Sequence, residues 1–401
     1  MLGVTHQDSD QEKPLELKHF TPEMPGRLQP IARGDHAFVP NPLPPDWEMP
    51  QRLWPLIAEA NRVIGVLEGI GRVLPNPAML LRTTEDREAI QSSALEGTYA
   101  TPKELLLFAL EPMDAKSEYE AANRHREVFN YRRAIQHASG SDLPICLRLL
   151  RELHAILLEG VRGHHKDPGN FRRIQVAIGS NKRFVPPPPE NVIPALDELE
   201  AYINNTSTFD PLIDCFLAHY QFETIHPFID GNGRVGRLMM ALMLQRKCNL
   251  TKPWLFLSDY FENHRDEYIR GLYRISTEAD WESWVEFCLR ATIAQSNETV
   301  ARCEKLLTVR EQLRARLNET GGHVRLHSIV DEIFNTPFVR VIDVQKRLNV
   351  TYPTARADLE KLALAGILKQ LDGTKTKTYY APDVYRVAYE NISDEPESMR
   401  P

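Results

Sequence analysis

Apolar residues recur at helical spacing from Trp54 to Ile70, and again through Glu104–Leu110, Glu118–Ala138 and Pro144–Leu158. That period predicts a succession of amphipathic helices. Another helical stretch begins at Glu85 and runs toward Gly97, a residue suited to cap a helix C-terminus. From Asp210 to Ile225, Leu212, Ile213, Phe216 and Leu217 line one helical face, and Val235, Leu238, Met239 and Leu242 start a further helix. The period changes near Ile174, Val176 and Ile178, where alternation followed by the polar residues Gly179 to Lys182 predicts a short β-hairpin. Residues 1–50 are rich in Pro and lack periodicity, with P-N-P-L-P-P-D at Pro40 to Asp46, so they are expected to form an extended arm over the domain surface.

Beyond Gly321-Gly322 the pattern predicts helices at Ser328–Phe334, Val341–Leu348 and from Thr351 or Pro353 to Leu364. A hairpin follows at Leu368–Tyr380, turning at Asp372-Gly373. The expected fold class is therefore mainly α with a small β-hairpin, followed by a C-terminal α+β domain.

At 401 residues the chain is long enough for more than one sizeable core. Its net charge of −7 and pI near 6.0 argue against a protein built mainly to coat nucleic acid. The five cysteines (Cys146, Cys215, Cys248, Cys288, Cys303) show no C-x-x-C spacing, which suits reduced thiols better than a disulfide framework or zinc site. No run of eighteen apolar residues occurs and the polar start is unlike a signal peptide, so the expectation is a soluble cytoplasmic protein with no membrane partner.

The densest chemistry lies in His226 to Arg237, H-P-F-I-D-G-N-G-R-V-G-R. Gly231 and Gly233 allow close approach of backbone N–H groups to an anion. The helix that starts there adds unpaired donors and a partial positive charge. Arg234 and Arg237, one turn apart, can add forked contacts to phosphate oxygens. Asp230 is the wrong sign for a phosphate ligand and suits Mg²⁺, which bridges carboxylate and phosphate oxygens. His226 can accept a proton near neutral pH. With no Cys or Ser nucleophile in the stretch, the group to be activated is a hydroxyl, and the reaction class is in-line displacement at phosphorus.

This stretch resembles the Fic family signature H-P-F-x-D-G-N-G-R-x-x-R at all nine specified positions. The resemblance implies a Fic-type helical domain in which His226 deprotonates a Tyr, Thr or Ser hydroxyl of a target protein, which attacks the α-phosphate of ATP. It assigns nucleotide binding to Gly231, Asn232, Gly233, Arg234, Val235, Gly236 and Arg237, and Mg²⁺ to Asp230. Gln221, Tyr268 and Ile269 are placed at the adenine pocket, with Tyr268-Ile269 standing where the family usually has adjacent tyrosines. His219 is expected to pack between helices, and His164-His165 to lie in a solvated loop. The segment from Pro168 carries Gly169, Phe171, Arg172, Gln175, Ile178 and Gly179 of the family's P-G-x-F-R-x-x-Q-x-x-I-G flap, with Val176-Ala177 in place of a frequent Asn-Trp. Such a flap clamps the target segment by strand addition. Upstream, Ser92, Glu96 and Gly97 resemble the inhibitory S/T-x-x-x-E-G/N motif, which implies that Glu96 pairs with Arg237 and restrains ATP.

The C-terminal pattern resembles a winged helix. Arg356, Lys361, Lys375 and Lys377 are candidate DNA-phosphate contacts, set against Asp358 and Glu360 on the same helix. Protein docking or homodimerisation is the other use of such a module, and the favoured one. The expected organisation is an arm (1–50), a helical region with the inhibitory motif (51–120), a catalytic core (121–295), a helical linker (296–320), a winged-helix domain (321–388) and an acidic tail (389–401). The leading function is a protein adenylyltransferase. Removal of AMP from a modified protein and a nucleotide-sensing DNA-binding regulator are the alternatives.

Overall fold

A computed structural model describes residues 16–74, 76–113, 121–161, 167–179, 184–205, 207–319, 321 and 323–394. His164-His165, the turn of the expected hairpin at 180–183, residues 1–15 and most of the tail, 395–401, lie outside the described residues.

The N-terminal arm is more ordered than its composition suggests. Strands β1 (Gly26–Pro30) and β2 (His36–Pro40) pair antiparallel, Leu28 opposite Phe38. Phe38 is fully buried and its N–H donates to the Val185 carbonyl, so the arm is stapled to the chain that leaves the expected flap. Short-range periodicity could not show this, because the partner is distant in sequence.

Eleven helices follow in the described chain: α1 (Trp54–Val73), α2 (Ala78–Ala94), α3 (Pro102–Leu110), α4 (Ala121–Gly140), α5 (Leu147–Leu157), α6 (Pro189–Asn204), α7 (Pro211–Ile225), α8 (Asn232–Lys247), α9 (Ser258–Asn263), α10 (Arg265–Glu278) and α11 (Trp281–Glu319). Helix α3 begins with a capping box, Thr101 Oγ1 accepting from Glu104 N–H while Glu104 accepts from Thr101 N–H. Helices α7 and α8 pack against each other on both sides of the His226–Gly231 turn, their apolar side chains almost wholly buried. This pair positions the site.

The expected hairpin near Ile178 is reduced, among described residues, to one antiparallel bridge between Ile178 and Phe184. The linker expectation also changes. Helix α11 is 39 residues long, and Thr292, Ser296, Cys303, Leu306, Leu313 and Leu317 along it are all buried. It is a shared core element rather than a spacer, packed both on α1 and on the C-terminal segment.

That segment contains α12 (Val324–Glu332), β3 (Phe338–Arg340), α13 (Val341–Leu348), α14 (Tyr352–Leu364), β4 (Lys369–Leu371), β5 (Thr378–Tyr380) and α15 (Pro382–Ala388). Its sheet is antiparallel in the order β3-β5-β4. The turn between β4 and β5 has Gly373 at φ 81°. The three helices and the hairpin lie where the apolar pattern predicts them; β3 and α15 are additions. One continuous apolar core joins α1 through α14. No described helix is long and apolar enough to cross a membrane.

Candidate active site

His226 closes α7 in a left-handed backbone conformation, φ 50° and ψ 61°, which costs a non-glycine residue roughly 1–2 kcal/mol. Its N–H still donates to the Phe222 carbonyl at 3.0 Å. Nδ1 faces the Glu223 carbonyl at 3.3 Å, and since a carbonyl only accepts, Nδ1 carries the proton and Nε2 keeps a lone pair. Burial pushes the imidazole down to about 4; nearby Arg172 adds to that shift, and the Glu223 carbonyl, Glu96 and Asp230 oppose it. The ring is therefore neutral across the physiological range, in the tautomer a base requires.

The turn after His226 is closed by Asn232, whose Oδ1 accepts from Phe228 N–H (2.7 Å) and whose Nδ2 donates to the Phe228 carbonyl (2.9 Å). The Asn232 side chain thus builds the loop; only its backbone N–H is left for an anion. Gly231 takes φ 78°, and its N–H donates to Asp230 Oδ1 at 2.7 Å. The first helical bond of α8 is Val235 N–H to the Gly231 carbonyl, so the amides of residues 232–234 form the unpaired helix end. Val235 itself is fully buried in the core, and Gly236 packs against Phe222 and Glu223. Of the residues assigned to nucleotide binding, these two are therefore placed in the packing between α7 and α8.

Arg237 is 2% exposed. Its Nε donates to Ser92 Oγ (2.7 Å), and its NH2 group donates to the Ser92 carbonyl and to Glu96 Oε1, both at 2.8 Å. Ser92 and Glu96 are one turn apart at the end of α2, and Gly97 follows at φ 80°. Burial pushes the Glu96 carboxyl up, but Arg237, with help from Arg234 and His226, outweighs it and holds the group below the usual range. The carboxylate lies so close over Gly233 that a Cβ there would overlap it. An anionic group therefore already sits at the end of α8, where backbone donors and Arg237 converge.

Arg234 is 5% exposed, with Nε and NH1 making no hydrogen bond; NH1 lies 3.6 Å from Glu127, which accepts from Thr98 Oγ1. A buried guanidinium with undirected donors fits a phosphate arriving from the cleft. Asp230, its side chain 37% exposed, is 3.9 Å from Arg234 and stands at the mouth. One accessible carboxylate beside a phosphate cradle fits Mg²⁺, which needs few protein ligands when the substrate supplies others.

The expected adenine residues are not brought together. Gln221 is buried and its amide donates to the Asn41 carbonyl of the arm. Tyr268 packs inward on Phe261, with its hydroxyl 2.9 Å from His219 Nε2, while Ile269 is 52% exposed. His219 is fully buried and held down at about 3, mainly by burial, in keeping with a packing role.

Two residues of the site were given no role there by sequence reasoning. His154 on α5 accepts from Gly169 N–H at Nδ1 (2.8 Å), donates from Nε2 to the Asp230 carbonyl (2.9 Å) and stacks on Phe228 at 3.8 Å. Its signal is a polar residue within the apolar stripe of Leu150, Leu153 and Leu157. Arg172, 3% exposed, donates through Nε to the His226 carbonyl (2.8 Å) and through NH2 to the carbonyls of Pro187 (2.6 Å) and Ile225 (3.3 Å). NH1 reaches the Ile174 carbonyl at 3.0 Å, and the Arg172 N–H donates to Pro227 O at 2.8 Å.

A neutral imidazole, unpaired amides at a helix N-terminus, two buried arginines and a carboxylate at the mouth together make an arrangement suited to a phosphoryl or nucleotidyl group. Residues 144–244 match the Fic/DOC family and residues 54–139 the Fic/DOC family N-terminal region, so the chain carries a Fic/DOC domain. Over 135 residues it is 35% identical to the protein adenylyltransferase Fic of Drosophila yakuba and 33% to that of Drosophila melanogaster. Each match covers 32% of this chain and 26% of the relative, so the chain spans about a quarter of the length of the curated relatives it matches. Among solved structures, it resembles a Fic family protein from Desulfovibrio desulfuricans G20 (TM-score 0.56, 22% identity, covering 84% of this chain and 98% of that one). It also resembles Fic-1 from C. elegans (TM-score 0.52, 21% identity, 63% and 74% covered). At these identities the structures show the fold alone.

Proposed function

We propose that this chain is a protein adenylyltransferase that moves AMP from ATP to a Tyr, Thr or Ser hydroxyl of a target protein, and that Glu96 restrains it. The observation that carries the reading is the tautomer of His226, whose Nε2 lone pair lies next to an anion cradle. The hydroxyl proton passes to Nε2 as the oxygen attacks the α-phosphorus, the bond from that phosphorus to the β-phosphate bridging oxygen breaks, and pyrophosphate leaves. The amides of residues 232–234, Arg234 and Arg237 take up the charge that develops on the phosphate oxygens. Mg²⁺ held by Asp230 and substrate oxygens would supply further neutralisation of the triphosphate.

In the conformation described, Glu96 and Ser92 occupy Arg237. A triphosphate competes with the carboxylate for the same guanidinium, which supports restraint built into the chain. The C-terminal module is read as a protein-packing winged helix rather than a DNA reader. Two of its candidate phosphate contacts, Arg356 and Lys377, each lie 2.8 Å from Glu360, and Arg325 pairs with Asp358 on the same helix. The five free cysteines suit a cytoplasmic location.

The test is transfer of label from α-labelled ATP to extract protein and to the chain itself. His226→Ala is expected to lose at least about a hundredfold of the transfer, as for removal of a general base. Undiminished transfer in the folded variant would remove the assignment.

A further inference from the structure

We infer that Arg172 is the positioning residue for His226, fixing the base in its left-handed backbone and tying it to the segment that leads into the Ile178–Phe184 bridge. The inference rests on the reading of His226 as base.

Five polar contacts converge on this one residue, and every acceptor is a main-chain carbonyl. They come from three separate stretches: Ile225, His226 and Pro227 at the end of α7, Ile174 beyond Arg172 itself, and Pro187 at the entry to α6. Only a planar guanidinium can direct its N–H donors to these four carbonyls in fixed directions; an ammonium on a flexible stem cannot hold the same fork. The charge is 3% exposed, and burial lowers it to about 10, with Glu190 the opposing influence. A buried cation bonded to carbonyls instead of a carboxylate is costly to maintain. Here it satisfies the carbonyls that a left-handed residue turns away from the helix.

The second consequence is electrostatic. The charged groups acting on His226 are Arg172, which disfavours protonation, and Glu96 and Asp230, which favour it, with the Glu223 carbonyl at Nδ1. Arg172 opposes protonation of the ring. Without it, the imidazole titrates at higher pH, and a base that works only when neutral loses activity at higher pH as well.

The experiment uses the full chain carrying Glu96→Gly, with Arg172→Gln and Arg172→Lys added separately and His226→Ala as reference. Initial rates of self-transfer from α-labelled ATP are measured against ATP concentration and from about pH 3.5 to 8, a range that brackets the acid limb of the parent and of the variants. Loss of orientation predicts that Arg172→Gln lowers kcat by about tenfold or more with the apparent KM for ATP within about twofold, since the phosphate cradle is untouched. Its acid limb should move up by about one pH unit. Arg172→Lys keeps the charge and loses the fork, so its kcat falls while the acid limb stays near that of the parent.

Nucleotide binding by calorimetry and thermal melting verify that each variant is folded. A folded Arg172→Gln with unchanged kcat and acid limb, while His226→Ala is inactive, overturns the inference. Loss of kcat and ATP binding in parallel in both variants also overturns it, because a merely structural residue would do that. Continued transfer by His226→Ala overturns the reading of the base instead.

Discussion

The Glu96 carboxylate is 38% exposed, yet its partner Arg237 is 2% exposed. Solvent screening weakens the pair from one side only. A charge-assisted hydrogen bond of this kind contributes about 1.5–3 kcal/mol, enough to tilt an occupancy equilibrium by one to two orders of magnitude. In Glu96→Gly, Arg237 keeps its two contacts to Ser92, so the cradle stays built while the competing anion is gone. Transfer of labelled AMP is expected to rise by about tenfold or more, and self-labelling with it. An unchanged rate would show that Glu96 is not the restraint. The residues of this cluster differ in how far they could be read from the chain. His226, Asp230, Gly233, Arg234 and Arg237 are contiguous, so their chemistry is visible at once. Asn232 and Val235 share the stretch but serve the loop and the core, a distinction only the backbone trace can make. Arg172 and His154 reach the site through the carbonyls of Ile225, His226 and Asp230, all more than fifty positions away, and a carbonyl carries no residue identity for a sequence to display.

At the scale of elements, α1 and α5 follow apolar spacing closely, since each turns hydrophobic side chains to one core, whereas α7 and α8 are buried on nearly every side, Asp214, His219 and Gln221 of α7 included, so the one-face reading of α7 holds only in part. Helix α2 does not. Thr83 through Glu88 are all buried, and the burial is tolerated because partners come from elsewhere. Glu88 accepts from Tyr131 and Ser258, Arg87 donates to Asp259 and Glu298, and Asp86 pairs with Arg132. Burial pushes Glu88 up to about 7 even so. A periodicity rule that equates polar with exposed finds only part of such a helix. Within α1, two glycines give opposite tests. Gly65 has open space where a Cβ would project, whereas a Cβ at Gly71 would meet the ring of buried Trp254 at 2.6 Å. Gly65→Ala should stabilise by up to about 1 kcal/mol through helix propensity. Gly71→Ala gains the same term but overpacks a rigid indole, a cost of about 1–3 kcal/mol, so it should destabilise overall. Urea unfolding of the two variants measures both signs, and equal effects would show that the α1–Trp254 contact yields easily.

Across the whole molecule, the stretch that bears Glu96 is held at both ends by the C-terminal module. Asp86 accepts from the Tyr389 hydroxyl at 2.8 Å, and Arg87 donates to the Glu390 carbonyl at 2.7 Å. Before α2, Asn76 donates to Asn335; after it, the carbonyl of Leu110 and the carboxylate of Glu111 accept from Arg340 and Thr376. Leu106 on α3 packs with Phe338, Ala388 and Tyr389. Tyr389→Phe leaves a buried Asp86 oxygen without its donor, a loss of about 1–3 kcal/mol. With α2 less firmly held, Glu96 should leave Arg237 more often, so the variant is expected to show a lower melting temperature and more AMP transfer, though less than Glu96→Gly. A stable variant with the parental rate would separate the module from the restraint. By itself the sequence determined the helical class and the position of the His226–Arg237 stretch, because each is encoded in local spacing or contiguous chemistry, while the reading of Ser92, Glu96 and Gly97 as a restraint came from the family resemblance. Tertiary structure alone decided that α11 is core rather than linker, that Gln221 and Tyr268 face inward, and that Arg172 reaches the His226 carbonyl and Tyr389 reaches Asp86 on α2. Those outcomes depend on which distant surfaces meet, and burial and hydrogen-bond satisfaction settle that only once the chain has closed on itself.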